Sequence, residues 1–196
     1  MNNENEQCWA LFLESDGVLS ISSGDLRYFH AHFCGESLGS QWKGPPDYTI
    51  LGSRKPINDF VSWHVAAPIV SPPARRALEK ISSDIEFLPF GTLKGKQYFA
   101  ANITKTIDAV DFERSDIQWL SGVSEGLPGS IVIRSDIVGL PALFKLDRIA
   151  SQIYLSQEAA EYLMDAGLTG FSLLRPSTNI AKRVIQSGSL VDYRQA

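Results

Sequence analysis

The chain has 196 residues, of which 44% are hydrophobic and 20% charged, and its formal net charge is −4. These values describe a globular protein long enough to bury a sizeable core in one domain or two closely packed lobes. Nucleic acid is not expected as a partner, because phosphate binding requires a basic surface. No apolar run reaches the roughly 18 residues of a membrane span, and residues 1–6 are polar and acidic, unlike a signal peptide. We therefore expect a cytoplasmic protein that does not bind membranes.

The N-terminal third predicts β-strands joined by irregular loops. Cys8–Leu13 is a short apolar run followed by turn-forming residues, and Leu26–Cys34 alternates imperfectly, as a strand does. Residues 35–56 contain seven glycines and prolines, which is incompatible with a regular helix. This stretch predicts a long loop or short edge strands, with Trp42 holding it against the body of the protein.

Two later segments share one pattern, in which an apolar strand leads to a serine, a short amphipathic helix follows, and a second apolar strand closes the unit. Ser71 is suited to cap the first helix and Ser156 the second, because a serine hydroxyl can accept a hydrogen bond from an unpaired amide. Gly167 is suited to end the second helix. The closing strands are predicted to begin at Ile85 and Phe171. The predicted helix faces consist of Ala74, Ala77, Leu78 and Ile81, and of Ala159, Tyr162, Leu163 and Ala166.

Further strands are predicted between the two units. Gln97–Ile103 is the expected hairpin partner of the strand that begins at Ile85, across a turn at residues 91–95, and Ile107–Phe112 continues that sheet. The glycines and proline of residues 121–130 predict a loop or an insertion. The remaining predicted elements are strands at Ile131–Ile133 and Leu143–Leu146 and a weak helix at Asn179–Ser187. The predicted fold class is therefore α+β, with two strand–helix–strand units packed on mainly antiparallel sheet.

The expected organisation has three parts. Residues 1–60 form a β and loop region packed on the core, residues 61–176 form the α+β core, and residues 177–196 form a partly helical tail. The core is assigned to the middle part because both repeated units fall within it.

One predicted strand offers a possible metal site. His30, His32 and Cys34 lie at alternate positions and so project from one strand face, and imidazole and thiolate are ligands for zinc. A structural zinc needs a fourth ligand, which His64 or Cys8 would have to supply. A small metal-dependent enzyme or ligand-binding domain centred on this face is the alternative function. A semi-buried strand surface with reduced thiols is the simpler interpretation, and the chain has no nucleophile elbow or phosphate-binding glycine loop.

The densest group of carboxylates comprises Asp108, Asp111, Glu113 and Asp116. On an extended backbone these side chains alternate between two faces, which is poor geometry for binding one metal ion. An exposed acidic edge is the simpler interpretation, and it suits docking of a basic protein surface. Trp42 and Tyr48 in the glycine- and proline-rich stretch are further candidates, because aromatic side chains often dominate binding energy. These six residues are the predicted partner-binding residues, and no catalytic residue or cofactor is predicted.

Several short motifs occur in an order that resembles a bacterial family of immunity proteins found beside polymorphic toxins. The motifs are Ile69–Leu78, Ile85–Pro89, Tyr98, Asn102, Asp108–Asp111, Ser115, Ile153–Glu158, Leu163 and Ala166–Phe171. The similarity covers about residues 68–176. The resemblance implies a cytoplasmic, non-enzymatic protein that binds and neutralises a cognate toxin. It leaves open the identity of the toxin and the oligomeric state of the immunity protein.

Overall fold

The computed structural model describes residues 8–14, 20–22, 32–45, 47–51, 57–64, 66–119 and 126–176. In these residues, thirteen strands and two α-helices confirm the α+β class. The strands are β1 (Cys8–Leu13), β2 (Ser20–Ser22), β3 (Thr49–Leu51), β4 (Phe60–His64), β5 (Ala67–Val70), β6 (Ile85–Leu93), β7 (Lys96–Ile103), β8 (Thr106–Ile107), β9 (Asp116–Trp119), β10 (Gly126–Ser130), β11 (Leu143–Leu146), β12 (Ile149–Ser156) and β13 (Phe171–Leu174). The helices are α1 (Pro72–Ile81) and α2 (Gln157–Asp165), and Gly39–Gln41 forms a 3₁₀ turn.

Two large sheets and one hairpin make up the β structure. The six-stranded sheet has the order β3-β2-β4-β5-β7-β6, the five-stranded sheet has the order β13-β1-β12-β11-β8, and β9 pairs with β10. Neighbouring strands are mostly antiparallel, although β2 pairs in parallel with β4 and β8 with β11.

Each predicted strand–helix–strand unit has another strand inserted between its own two strands. In the first unit, β5 and β6 both pair antiparallel with β7. In the second unit, β12 and β13 both pair antiparallel with β1. The two strands of each unit are therefore parallel to each other, and both units are split βαβ motifs. The inserted strand directly follows the first unit in sequence, whereas for the second unit it comes from far upstream.

The predicted helix caps are confirmed. The Ser71 hydroxyl accepts a hydrogen bond from the Ala74 amide, and the Ser156 hydroxyl accepts one from the Ala159 amide, both at 3.3 Å. Gly167 follows α2 with φ +66°, the left-handed conformation that commonly ends a helix. These caps fix where each helix begins or ends relative to the strand beside it.

The predicted buried face of α2 is partly wrong. Ala159 and Leu163 are buried as expected, but the third buried residue is Ala160, while Tyr162 and Ala166 are exposed. The buried stripe is rotated because α2 packs at once on β12 and on β1, and the sequence pattern alone does not fix that contact.

Side chains that alternate along the strands divide the core into three layers. Ile69 faces outward and the next residue, Val70, faces the space between the large sheets; Tyr154 and Leu155 alternate in the same way. The inner layer includes Leu11, Phe60, Val70, Leu78, Ile103, Leu143, Leu155 and Leu163. The outer layer on the six-stranded sheet includes Phe33, Leu38, Trp63, Ile69, Phe90 and Tyr98. The outer layer on the five-stranded sheet includes Cys8, Ala10, Val110, Ile131, Phe144 and Tyr154.

Irregular segments cover both outer layers. Residues 33–45 with 47 and 48, here called the N-terminal cover, lie on the six-stranded sheet. Residues 107–119 with 126–137, here called the acidic cover, lie on the five-stranded sheet. Because both large sheets lie between them, the two covers are on opposite sides of the molecule.

A polar junction at Asp59 connects the two units. The Ser71 hydroxyl donates to the Asp59 carboxylate at 2.6 Å. The amide and hydroxyl of Thr169 donate to the other carboxylate oxygen at 3.2 and 3.3 Å. Gly170 has φ +94°, and a Cβ atom there would lie 2.1 Å from the Phe60 carbonyl oxygen. Glycine is therefore required for the chain after α2 to approach β4 this closely.

The β6–β7 hairpin is confirmed, and its turn lies within the predicted residues 91–95 but is shorter than predicted. β6 continues to Leu93, and the turn consists of Lys94 and Gly95, which have φ values of +44° and +79°. Such a two-residue turn matches the twist of the paired strands. Gly91 instead lies where the register shifts after Pro89, as at a β-bulge.

Three other strand and loop predictions are wrong. Residues 107–112 do not extend the β6–β7 sheet, because β8 pairs with β11 of the other sheet and residues 112–114 form a turn. Part of the predicted loop at 121–130 is β10, while residues 121–125 lie outside the described residues. Ile133 forms an isolated bridge with Val110 instead of belonging to a strand.

The strand predicted at Leu26–Cys34 is wrong in its described part. Phe33 is buried in the outer layer, Cys34 is exposed, and neither is in a strand. The buried Lys145 ammonium donates to the Phe33 carbonyl, and Gly35 turns the chain with φ +106°. These tertiary contacts replace strand pairing. Residues 26–31, which include His30, and the helix predicted at 179–187 lie outside the described residues.

Candidate partner-binding surfaces

The aromatic candidates of the N-terminal cover pack on the six-stranded sheet. The Trp42 indole N–H donates to the Pro89 carbonyl at 3.0 Å, and its ring meets the Phe33 ring edge-on at a centroid distance of 6.1 Å. Trp42 therefore holds this stretch to the body of the protein, as predicted. The Tyr48 ring lies against Phe90 at 4.9 Å and is 38% exposed. Of the two, Tyr48 has more surface available to a partner.

A glutamate fixes the N-terminal cover to β6. The Glu86 carboxylate accepts hydrogen bonds from the Leu38 amide at 2.8 Å, the Gly39 amide at 2.6 Å and the Ser37 hydroxyl at 3.0 Å. The fully buried Asn102 donates to it at 3.1 Å. Burial by itself would raise the pKa of Glu86, but these hydrogen bonds together hold the pKa below its ordinary value. Polar groups of this cover are thus used to attach it to the sheet.

The four acidic candidates do not lie along one extended strand. The Asp111 carboxylate accepts hydrogen bonds from the amides of Glu113 and Arg114 at 3.2 and 3.1 Å, so it caps the turn at residues 112–114. Asp116 begins β9 after this turn. The expectation that these side chains alternate between two faces of a strand is therefore wrong, because a turn lies in the middle of the segment.

Two of the acidic candidates have nearby arginines. The Arg134 guanidinium lies 3.1 Å from the Asp108 carboxylate and 3.2 Å from that of Asp136. Arg114 lies 3.7 Å from Asp111. Exposed pairs of this kind stabilise a protein by only about 0–1 kcal/mol. The Asp108 side chain is 68% exposed and so remains accessible to a partner, whereas the Asp111 side chain is 24% exposed.

Beside this turn, three flat side chains from separate segments stack on one another. The Phe112 and Trp119 rings are 6.0 Å apart with an interplanar angle of 30°. The Arg148 guanidinium carbon lies 4.6 Å from the Trp119 ring centre and 5.2 Å from that of Phe112. We call these three residues the Arg148 stack. The stack is not predictable from the sequence, because Arg148 is distant from the two rings along the chain and the one local signal is an aromatic residue within the acidic segment.

The possible zinc ligands are not brought together in the described residues, where no group of three histidine, cysteine or acidic side chains could hold a metal ion. Cys8 is buried in the outer layer of the five-stranded sheet, and Cys34 is exposed in the N-terminal cover on the other side. Burial raises the pKa of Cys8 to about 12, although the nearby Arg175 charge acts to lower it. His30 lies outside the described residues.

The two split βαβ units and both covers fall within the range of a known protein family. A sequence model of an immunity protein family (Imm11) matches residues 9–177. The chain belongs to this family. The match to the immunity protein family begins well before residue 68, where the resemblance was expected to begin, and it includes all of β1 except Cys8. It therefore extends over the strand that completes the second unit. No curated protein matches the chain.

The two α-helices of the described residues are short, with ten residues in α1 and nine in α2. Neither α1 nor α2, the helices of the described residues, is long and apolar enough to cross a membrane.

Proposed function

We propose that this immunity protein binds a cognate toxin protein in the cytoplasm and neutralises it by covering the toxin's active site or blocking its assembly, without catalysing a reaction itself. The observation that carries the proposal is the family match over residues 9–177. The core supports it as well, because the family motifs lie at helix caps, core positions and turns. Those positions determine the scaffold and leave exposed segments to recognise the partner.

Of the two covers, the acidic cover is the better candidate for contact with the toxin. Residues 108–119 carry four carboxylates and one arginine, a surplus of three negative charges, whereas residues 33–49 carry two carboxylates and one lysine, a surplus of one. A surplus of negative charge favours the approach of a basic protein surface. Asp108, Asp111, Glu113 and Asp116 are therefore proposed to face a basic region of the toxin. Tyr48, with Trp42 behind it, is the second candidate surface.

The test is to express, one at a time, the product of each gene that neighbours the gene for this protein. Each is expressed with and without the immunity protein, and growth and co-purification are measured. We expect one neighbour to be toxic alone, to be tolerated in the presence of the immunity protein, and to co-purify with it. If the immunity protein does not relieve the toxicity of any neighbour and no neighbour forms a complex with it, the proposal is wrong.

A further inference from the structure

The Arg148 stack is unusual because its aromatic rings are exposed and yet held in place. Phe112 is 39% exposed and Trp119 is 46% exposed, although large aromatic side chains gain most from burial. Ile117, two residues before Trp119 on the same face of β9, packs against the outer layer. Trp119 lies at the end of the strand, past this contact, and much of its ring faces solvent.

The backbone around the stack fixes the position of each group. Trp119 pairs with Gly126 of β10, where a Cβ atom would lie 3.3 Å from the Trp119 ring and 2.3 Å from the Ile117 side chain. The Gly126 amide donates to the Arg148 carbonyl at 2.9 Å, which connects the β9–β10 hairpin to the turn between β11 and β12. Arg148 has φ +63°, a conformation that non-glycine residues rarely adopt. The aromatic ring and the guanidinium are therefore positioned by two connected hairpins.

We infer that the Arg148 stack is the main anchor of the toxin-binding surface, and that the carboxylates beside it favour a toxin whose contact face is positively charged. This inference rests on the proposed function and adds to it the residues that dominate binding. Tryptophan, tyrosine and arginine are the residues that most often dominate the energy of protein interfaces. A partner that binds side chains already held in place loses less conformational entropy on binding.

The chemistry of the partner follows from the charges around the stack. Residues 108–119 have a surplus of three negative charges, and the exposed rings provide apolar area in their midst. The toxin contact face should therefore carry a net positive charge at its rim and place an apolar or aromatic side chain against Trp119.

The experiment uses the toxic neighbour that the co-expression test identifies. Calorimetry measures its Kd for the wild-type immunity protein and for variants of the stack. Trp119→Ala is expected to raise the Kd by about 30-fold or more, the size of a hot-spot effect. Arg148→Lys keeps the charge but loses the flat guanidinium, and it should raise the Kd by about tenfold. The matched control is Tyr162→Ala on α2, an aromatic residue that is 37% exposed and lies outside both covers. It should leave the Kd within about threefold of the wild-type value.

A further variant tests the charge. Glu113 is exposed, and Glu113→Lys should slow association with the toxin, with the largest change at low salt concentration, because rim charges mainly affect the rate of encounter. An unchanged association rate at low salt would overturn the charge part of the inference.

The outcomes separate this inference from the proposed function. If the wild-type protein binds and neutralises the toxin while folded Trp119→Ala and Arg148→Lys bind it with unchanged Kd, the inference is wrong and the proposed function stands. If Tyr48→Ala raises the Kd strongly and these two variants do not, the main anchor lies in the N-terminal cover and the inference is wrong. Circular dichroism and thermal unfolding check that each variant is folded. If Trp119→Ala does not fold, Arg148→Lys decides the question. If no neighbour binds the wild-type protein, the proposed function fails first.

Discussion

The N-terminal cover and the acidic cover each shield one outer face of a large sheet, but they direct their side chains differently. In the N-terminal cover, Trp42 donates its N–H to Pro89, and two backbone amides are bound by Glu86 of the sheet below. In the acidic cover, Asp111 caps its own turn, and the Arg148 stack extends into solvent. The tryptophan of the N-terminal cover attaches that cover to the sheet, whereas the tryptophan of the acidic cover remains largely exposed.

This contrast shows why residue type alone is a poor guide to a binding surface. Both covers contain a tryptophan, a second aromatic residue and carboxylates. Side chains already used for packing and hydrogen bonding contribute to folding stability, and changing them is expected to destabilise the fold. Side chains that are positioned but exposed can be changed with little loss of stability, which makes them the better candidates for contact with a partner.

The largest expected effect comes from Glu86, the glutamate of β6 that binds the N-terminal cover. Glu86→Ala should lower the free energy of unfolding by about 3 kcal/mol, because it removes charge-assisted hydrogen bonds to the Leu38 and Gly39 amides. Glu113→Ala in the acidic cover is the matched control and should change it by less than about 0.5 kcal/mol. Urea unfolding measures both values. Equal losses of unfolding free energy would mean that the hydrogen bonds of Glu86 to the N-terminal cover do not stabilise the fold.

The next difference concerns the tryptophans. Trp42→Ala should lower the free energy of unfolding by about 2 kcal/mol, because it removes the bond to Pro89 and the contact with Phe33 from a half-buried site. Trp119→Ala should lower it by less than about 1 kcal/mol, since much of that ring is already exposed. Thermal unfolding of the two variants compares them directly. A larger loss for Trp119 would assign the Arg148 stack a mainly structural role.

The smallest expected effect is a dependence of stability on pH. Since the pKa of Glu86 is lower in the folded protein than in the unfolded chain, where it is about 4.3, the ionised carboxylate stabilises the fold. This stabilisation is present above the unfolded pKa and is lost as the pH falls through the folded pKa. Unfolding of the wild-type protein and Glu86→Gln should therefore differ most near neutral pH, and the difference should narrow below about pH 4. A constant difference across this range would contradict the assigned role of Glu86.

Elements whose formation depends on neighbouring residues can be predicted from the sequence. The caps at Ser71 and Ser156, both helices and the β6–β7 hairpin follow from contacts between residues close in sequence. Capping, amphipathic spacing and turn chemistry act within a few residues, so the chain displays them as local patterns. The α+β class and the membership of the immunity protein family follow from the same patterns, because they depend on the order of these elements.

Long-range packing determines which strand enters each unit and which side chains remain at the surface. β1 pairs with β12 and β13 from far upstream, and residues 107–112 leave the sheet that their position in sequence suggested. The Arg148 stack takes its three residues from a turn and from two different hairpins. The free energy that fixes these arrangements comes from contacts between distant segments, and no local periodicity of the sequence records such contacts.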